Sequence, residues 1–331
     1  MIISRTPFRI SFFGGGTDYP VWYNKYGGSV ISATINKYCF ITARYLPPFF
    51  NYNYRIRYYK HEEAKTINDI KHPSVRECAK LLKISKGFEI VHNADLPAQS
   101  GLGSSSTFTV GLLNAFHALQ NYRPTKKELA YQAIEIEQNC IGENVGSQDQ
   151  TAAAFGGLNE INFSIDNNLD VESIILSEDR LNEFQDNLML FFTGFARTAS
   201  DIAKKQIEIT SSKEDELKLM LSIKKEALSI LTNHNVKLDL FGKLLNDQWK
   251  IKRSLTDKIS NKDIDLIYEL GINSGAIGGK LLGAGGGGFM LFYVPKKFQN
   301  TVKKNLGDKL YVPFKFDFTG SKIVYYSHQE N

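Results

Sequence analysis

The stretch Leu96-Pro97-Ala98-Gln99-Ser100-Gly101-Leu102-Gly103-Ser104-Ser105-Ser106 most constrains the fold. A short strand-like run, Phe88 to His92, precedes it, and helical apolar spacing from Ser104 to Gln120 follows it. Strand, glycine loop and helix must therefore follow one another. Glycines let the backbone bend close to a ligand, and the first free N–H groups of the helix point at whatever sits there, so an anion such as phosphate suits the loop. The serines could donate to phosphate oxygens or ligate a metal, or one of them could simply cap the helix. The loop is not a GxxxxGK[ST] sequence: Gly279-Lys280 has Ser274 where the first glycine belongs and Leu281 after the lysine. Nor is it GxGxxG, because three serines follow Gly101-Leu102-Gly103. P-loop and Rossmann folds both lose weight.

The rest of the chain reads as α+β. Strands are expected at Ile2 to Phe13, Ser29 to Leu46, Tyr52 to Tyr59 and Phe155 to Phe163, with helices at Ser104 to Gln120 and Lys126 to Cys140. Beyond about residue 176 helices dominate, at Ala199 to Ile209, Glu214 to Asn233 and near 239–253 and 262–276. Strands at Leu188 to Thr193, Phe289 to Val294, around Phe314-Phe316-Phe318 and at Ile323-Tyr325 complete that half, with a helix near Lys296 to Leu306. Two α+β domains, 1–175 and 176–331, are expected, and 331 residues suffice for both. A net charge of +5 without basic blocks gives no sign of nucleic-acid binding. Cys39, Cys78 and Cys140 form no CxxC pair, so they are read as core filling in a reducing compartment. Arg5 and Arg9 interrupt the N-terminal apolar stretch, and Leu281 to Pro295 is too short and glycine-rich to span a membrane. A cytoplasmic protein is expected.

Two carboxylates stand out. At roughly 100° per residue, Leu129, Ala130, Ala133, Ile134, Ile136 and Cys140 form one stripe with Glu137 near its centre, whereas Glu128 and Glu135 fall on the polar face. A buried carboxylate must be paired, through a structural salt bridge, or bound to a metal. Twelve residues on, Asp149 in Gly146-Ser147-Gln148-Asp149-Gln150 either caps a short helix or projects into a cleft, with a distant arginine, lysine or metal as partner. A first glycine loop, Gly14-Gly15-Gly16-Thr17-Asp18-Tyr19, follows a strand whose Arg9, among aromatics, calls for an anion. A third, Gly283-Ala284-Gly285-Gly286-Gly287-Gly288, lets backbone approach a ligand or another chain segment.

These three loops, in this order, resemble the GHMP kinases, the superfamily of galactokinase, homoserine kinase, mevalonate kinase and phosphomevalonate kinase. The resemblance spans most of the chain. It implies a nucleotide-binding N-terminal α+β domain, a ferredoxin-like C-terminal α+β domain, and ATP-dependent phosphorylation of a small molecule's hydroxyl. ATP phosphates would lie on Ser100, Gly101, Leu102, Gly103, Ser104, Ser105 and Ser106, with Gly285 and Gly286 closing beneath them. By the family's motifs Ser105 and Glu137 would ligate Mg2+, Asp149 would be the catalytic aspartate, either taking the hydroxyl proton or orienting the hydroxyl, and Arg9 would lie beside it.

Galactokinase's Gly-Glu-His-Thr-Asp-Tyr appears here as Gly14-Gly15-Gly16-Thr17-Asp18-Tyr19, which removes two side chains and suits a larger or anionic acceptor. This opening, the Gln148-Asp149-Gln150 segment and Thr193-Gly194-Phe195-Ala196-Arg197-Thr198-Ala199 resemble the D-glycero-D-manno-heptose 7-phosphate kinases. Phosphorylation at the anomeric C1 hydroxyl, toward GDP-heptose for a surface polysaccharide, is what that resemblance implies. Gly15, Gly16, Thr17, Asp18 and Arg197 would bind the phosphorylated sugar, with Arg44 and Arg55 as weaker alternatives for its phosphate. The alternatives are a kinase of another sugar, such as fucose or galactose, or a non-catalytic nucleotide-binding regulator. Long helical surfaces in the second half leave room for a homodimer, which nothing in the sequence specifies.

Overall fold

The computed structural model describes residues 1–166, 168–194 and 199–327. Its main sheet contains β1 (Ile2–Phe13), β2 (Gly28–Tyr45), β3 (Tyr54–Arg57), β4 (His61–Ala64), β5 (Phe88–Ala94), β6 (Leu158–Phe163) and β7 (Leu169–Ser173). The second half adds β8 (Leu188–Phe192), β9 (Gly278–Leu281) and β10 (Phe289–Tyr293), which form a separate antiparallel sheet in the order β8-β10-β9. The final strand, β11 (Lys322–Tyr326), returns to pair with β1, so the first sheet draws on both ends of the chain. Long β2 organises that sheet: its first residues pair with β6, its last with β5, and β1 runs along it. Among the described residues only β3 and β5 run parallel.

β1 alternates in burial for four residues and is then buried on both faces. The helix Ser104–Leu119 packs on this sheet and is itself buried nearly all round, with apolar side chains and small or hydrogen-bonded polar ones sharing its faces. On the other side Phe12 and Phe13 meet Phe241 edge-on at 5.7 and 5.0 Å, and Phe12 meets Phe184 at 5.4 Å, which joins the two halves through an aromatic cluster. The β1–β2 register shifts between Pro7 and Arg9, and there the Arg9 amide leaves the ladder to donate to the Leu102 carbonyl at 3.1 Å. Such a shift re-aims a side chain. It carries Arg9 to the glycine loop.

Two expectations need correction. The second helix is α-helical only over Lys126–Ile134 and continues as a π turn over Glu135–Ile141. The wider turn changes the angular step, so Cys140 lies exposed rather than in the core, while Cys39 and Cys78 are buried. Around Phe314-Phe316-Phe318 the structure has a single bridge, Ile35 to Phe316, rather than a strand.

Candidate active site

A cavity of about 330 Å³ opens where the first two glycine loops, the Gln148–Phe155 helix and the Asp239–Leu255 helix converge. Its floor is an ion pair. The Arg9 Nε and Nη2 atoms donate to the two carboxylate oxygens of Asp149 at 2.7 and 2.6 Å, and Nη1 donates to the Gly101 carbonyl at 2.7 Å. Arg9 is 3% exposed, and the Asp149 side chain keeps 25% of its surface, turned to the cavity it lines. A bidentate arginine fixes the carboxylate plane and still leaves lone pairs free to accept from a hydroxyl. Asp149 lies in the first turn of its helix, and Ser147, before it, makes no side-chain cap.

The second loop turns into its helix at Gly103, whose left-handed φ of 77° suits glycine. A Cβ there would come within 3.3 Å of both Arg9 and Asp149. No side chain caps this helix, so its leading N–H groups stand at the cavity edge formed by Gly103, Ser104, Ser105 and Ser106. Ser104 Oγ accepts from the Gln99 amide at 3.2 Å and closes the loop, Ser105 is exposed at the rim, and Ser100 and Leu102 are fully buried. The third loop holds the second against the core. A Cβ on Gly283 would meet Gly101 Cα at 2.5 Å, and one on Gly288 would meet the Ser100 carbonyl oxygen at 2.2 Å. Gly283 and Ala284 reach the cavity, whereas Gly285 and Gly286 pack on Ile259, whose carbonyl accepts from the Gly286 amide at 2.9 Å.

Glu137 is fully buried beneath this edge. It accepts from Ser106 at 2.7 Å, from Thr109 at 2.8 Å and from Gln150 at 2.5 Å. Burial pushes its carboxyl up to about 7 against the pull of these donors. Among the described residues no lysine or arginine pairs with it. The Oε1 atom of Gln150 beside it is likewise buried without a partner. A buried carboxylate among hydroxyl and amide oxygens, with no protein cation, is a donor set that fits Mg2+.

In the first loop Gly15, Gly16 and Asp18 line the cavity. Asp18 is 2% exposed and accepts from the Gly16 amide at 2.9 Å. Burial, and then the nearby Asp149 charge, raise its carboxyl above the ordinary range. Thr17 instead holds the loop together: it is fully buried, donates to the Gly14 carbonyl at 2.8 Å and accepts from the Ser29 amide at 3.1 Å. Arg197 lies outside the described residues. Arg44 and Arg55 line no part of this cavity; each pairs with Glu89 at 2.6 Å on the sheet.

The opposite wall holds residues that the sequence reading missed. Lys252 lines the cavity and donates to the Gly283 carbonyl. Burial, and then the Arg9 charge, bring its ammonium down to about 8, although Asp18 and Asp149 pull the other way. Lys280 is fully enclosed, donates to the Ser11 and Phe12 carbonyls at 2.9 and 2.8 Å, and is held well below the usual lysine range by burial. Gln248, one turn before Lys252, lines the same wall. The signal was present: Phe241, Leu245, Gln248, Trp249, Lys252 and Leu255 share one helical face, and two of the six are polar.

Comparison with known proteins matches residues 73–157 to the GHMP kinases N terminal domain. The chain is 32% identical over 330 residues to the D-glycero-alpha-D-manno-heptose 7-phosphate kinase of Campylobacter jejuni, covering 96% of each chain. It is 25% identical to the galactokinase of Pyrococcus furiosus, over 91% of each. A crystal structure of a D-glycero-D-manno-heptose 1-phosphate kinase from Bacteroides thetaiotaomicron shares the fold, with a TM-score of 0.75 at 24% identity over 99% of this chain and 100% of that one.

Proposed function

Since the chain belongs to the GHMP kinases and is an ATP-dependent sugar kinase, we propose that it transfers the γ-phosphoryl group of ATP to the anomeric C1 hydroxyl of D-glycero-D-manno-heptose 7-phosphate. The product would be the 1,7-bisphosphate, a precursor of GDP-heptose for surface polysaccharide. The observation that carries the substrate is the 32% identity, over nearly all of both chains, with the Campylobacter heptose 7-phosphate kinase. The side-chain-free Gly15 and Gly16 at the cavity edge support an acceptor larger than a hexose.

The chemistry follows from the charges around the cavity. Phosphoryl transfer has a loose transition state with charge spread over the phosphoryl oxygens, so positioning and electrostatics contribute most. Asp149, clamped by Arg9, accepts a hydrogen bond from the attacking hydroxyl and either holds it in line or takes its proton as the O–P bond forms. The bond from the γ-phosphorus to the bridging oxygen breaks and ADP leaves. The N–H groups at Ser104, Ser105 and Ser106 cradle phosphate oxygens, and Lys252 faces the transferring group with a positive charge. Mg2+ would be held by Glu137 and the Ser105 hydroxyl and would neutralise phosphate charge. Arg197 is assigned to the sugar phosphate.

The test is magnesium-dependent ADP release with D-glycero-D-manno-heptose 7-phosphate beside galactose, fucose and unphosphorylated heptose at matched concentrations. Turnover with the phosphorylated heptose alone is expected. Better turnover of a neutral sugar would overturn the substrate and the role given to Arg197.

A further inference from the structure

Gln248 is fully buried, and neither its amide nitrogen nor its amide oxygen has a hydrogen-bond partner among the described residues. Buried amides in folded proteins almost always find partners, so a doubly unmatched one needs a reason. Its place supplies one, because Gln248 lines the cavity above the Arg9–Asp149 pair. Across that cavity the Oε1 atom of Gln148, next to Asp149, is also buried and unmatched. The two glutamines thus add one spare donor group and two spare acceptors to the cavity wall.

That inventory selects a ligand class. Phosphate oxygens at neutral pH accept hydrogen bonds and cannot satisfy two carbonyl oxygens, whereas a hydroxyl donates and accepts at once. Adjacent ring hydroxyls match the set. Lys252 stands four residues on, about 6 Å along the same helical face, and lines the same cavity as Asp149 at the reacting end. We propose that Gln248 is an acceptor-specificity residue whose amide pairs with ring hydroxyls of the sugar one helical turn from the reacting hydroxyl. Gln148 takes a further hydroxyl from the other side. The inference rests on the reading of this cavity as the acceptor site, and not on which sugar fills it.

The experiment compares wild type with Gln248→Met, which keeps an unbranched side chain of similar length. The acceptor KM for D-glycero-D-manno-heptose 7-phosphate should rise about tenfold or more, with the KM for ATP within twofold. The melting temperature without ligand should stay level or rise, because an unmatched amide has been removed from the interior. A purely structural glutamine gives the reverse, a lower melting temperature and an unchanged acceptor KM, and overturns the proposal. If the variant does not fold, monodeoxy acceptors on the wild-type protein test the same contact, in parallel with Gln248→Asn. At least one should lose about tenfold in kcat/KM and none of that loss should persist in the variant; uniform turnover across the panel overturns the proposal. If the wild type ignores the phosphorylated heptose, the substrate reading fails by itself. The same KM comparison then uses whichever of galactose, fucose or unphosphorylated heptose it phosphorylates, with the same deciding outcomes.

Discussion

Asp149 lines the cavity and Glu137 lies buried beneath the edge formed by the second glycine loop, and the two carboxylates are held in opposite ways. Asp149 takes two bonds from an arginine that is almost wholly buried. Glu137 is more deeply enclosed yet meets only hydroxyl and amide donors. Burying an ion costs several kcal/mol unless a partner offsets it. The protein supplies that partner at Asp149 and, among the described residues, gives Glu137 no cation, so the first carboxylate is set before any ligand arrives and the second is left to the magnesium proposed above. Position in the fold therefore assigns the two roles, since side-chain chemistry is nearly the same.

The largest effect should come from the preset end. Asp149→Asn keeps the shape but removes the charge that meets the attacking hydroxyl, and kcat should fall about a thousandfold. ATP affinity, measured by calorimetry, should stay within a few-fold; near-normal turnover in the folded variant would end the assignment of Asp149 as catalytic. Lys252→Met should follow, with kcat down roughly a hundredfold and KM for ATP little changed. The pH profile gives an independent reading. The Lys252 ammonium is charged below about 8 and loses its proton above it, so kcat/KM should fall on the alkaline side as pH passes that value. Lys252→Arg, which stays charged, should move this limb upward. The sign reverses for stability. The folded chain releases a proton between about 8 and 10.5 that the unfolded chain keeps, so the ligand-free protein should gain stability over that range.

How legible this site was depended on the kind of signal. Glycine runs and the apolar stripe from Leu129 to Cys140 were enough to place the loops and to turn Glu137 inward, because both depend on local geometry, although the π turn puts Cys140 itself at the surface. Arg9 was flagged by its aromatic neighbours, but its bidentate hold on Asp149 spans 140 residues and depends on the register shift in β1, which no local pattern encodes. Gln248 and Lys252 were open to the same helical-face reading that found Glu137, and were passed over because lysines fill that half of the chain. The short strands β4, β7 and β9 were missed as well. Four or five residues set no period, and each is fixed by antiparallel pairing with the strand beside it in the chain, β4 with β3, β7 with β6 and β9 with β10.

The open end of the comparison predicts a smaller and different effect. Glu137→Gln keeps the contacts available to the hydroxyl donors but removes the anion, so the magnesium concentration needed for half-maximal turnover should rise about tenfold. Without magnesium the variant should melt no lower than wild type, because a buried carboxylate lacking a protein cation has been replaced by a neutral amide. A clear loss of stability together with an unchanged magnesium requirement would make Glu137 a structural residue.

The smallest kinetic effect should come from another arginine-held carboxylate, one shared by two arginines and placed away from the cavity. Glu89, with its side chain 8% exposed, takes Arg55 and Arg44 each at 2.6 Å on the sheet. Arg55→Met removes the more enclosed of the two arginines, and Arg44 remains to compensate the carboxylate. Stability should fall by about 1–3 kcal/mol, read from denaturant unfolding. Both KM values and kcat should stay within twofold, because neither arginine lines the cavity. A selective rise in the KM for the phosphorylated acceptor would instead make Arg55 a ligand of the sugar phosphate. Unchanged kinetics would separate the two arginine-held carboxylates by place alone, since Asp149 faces the cavity and Glu89 does not.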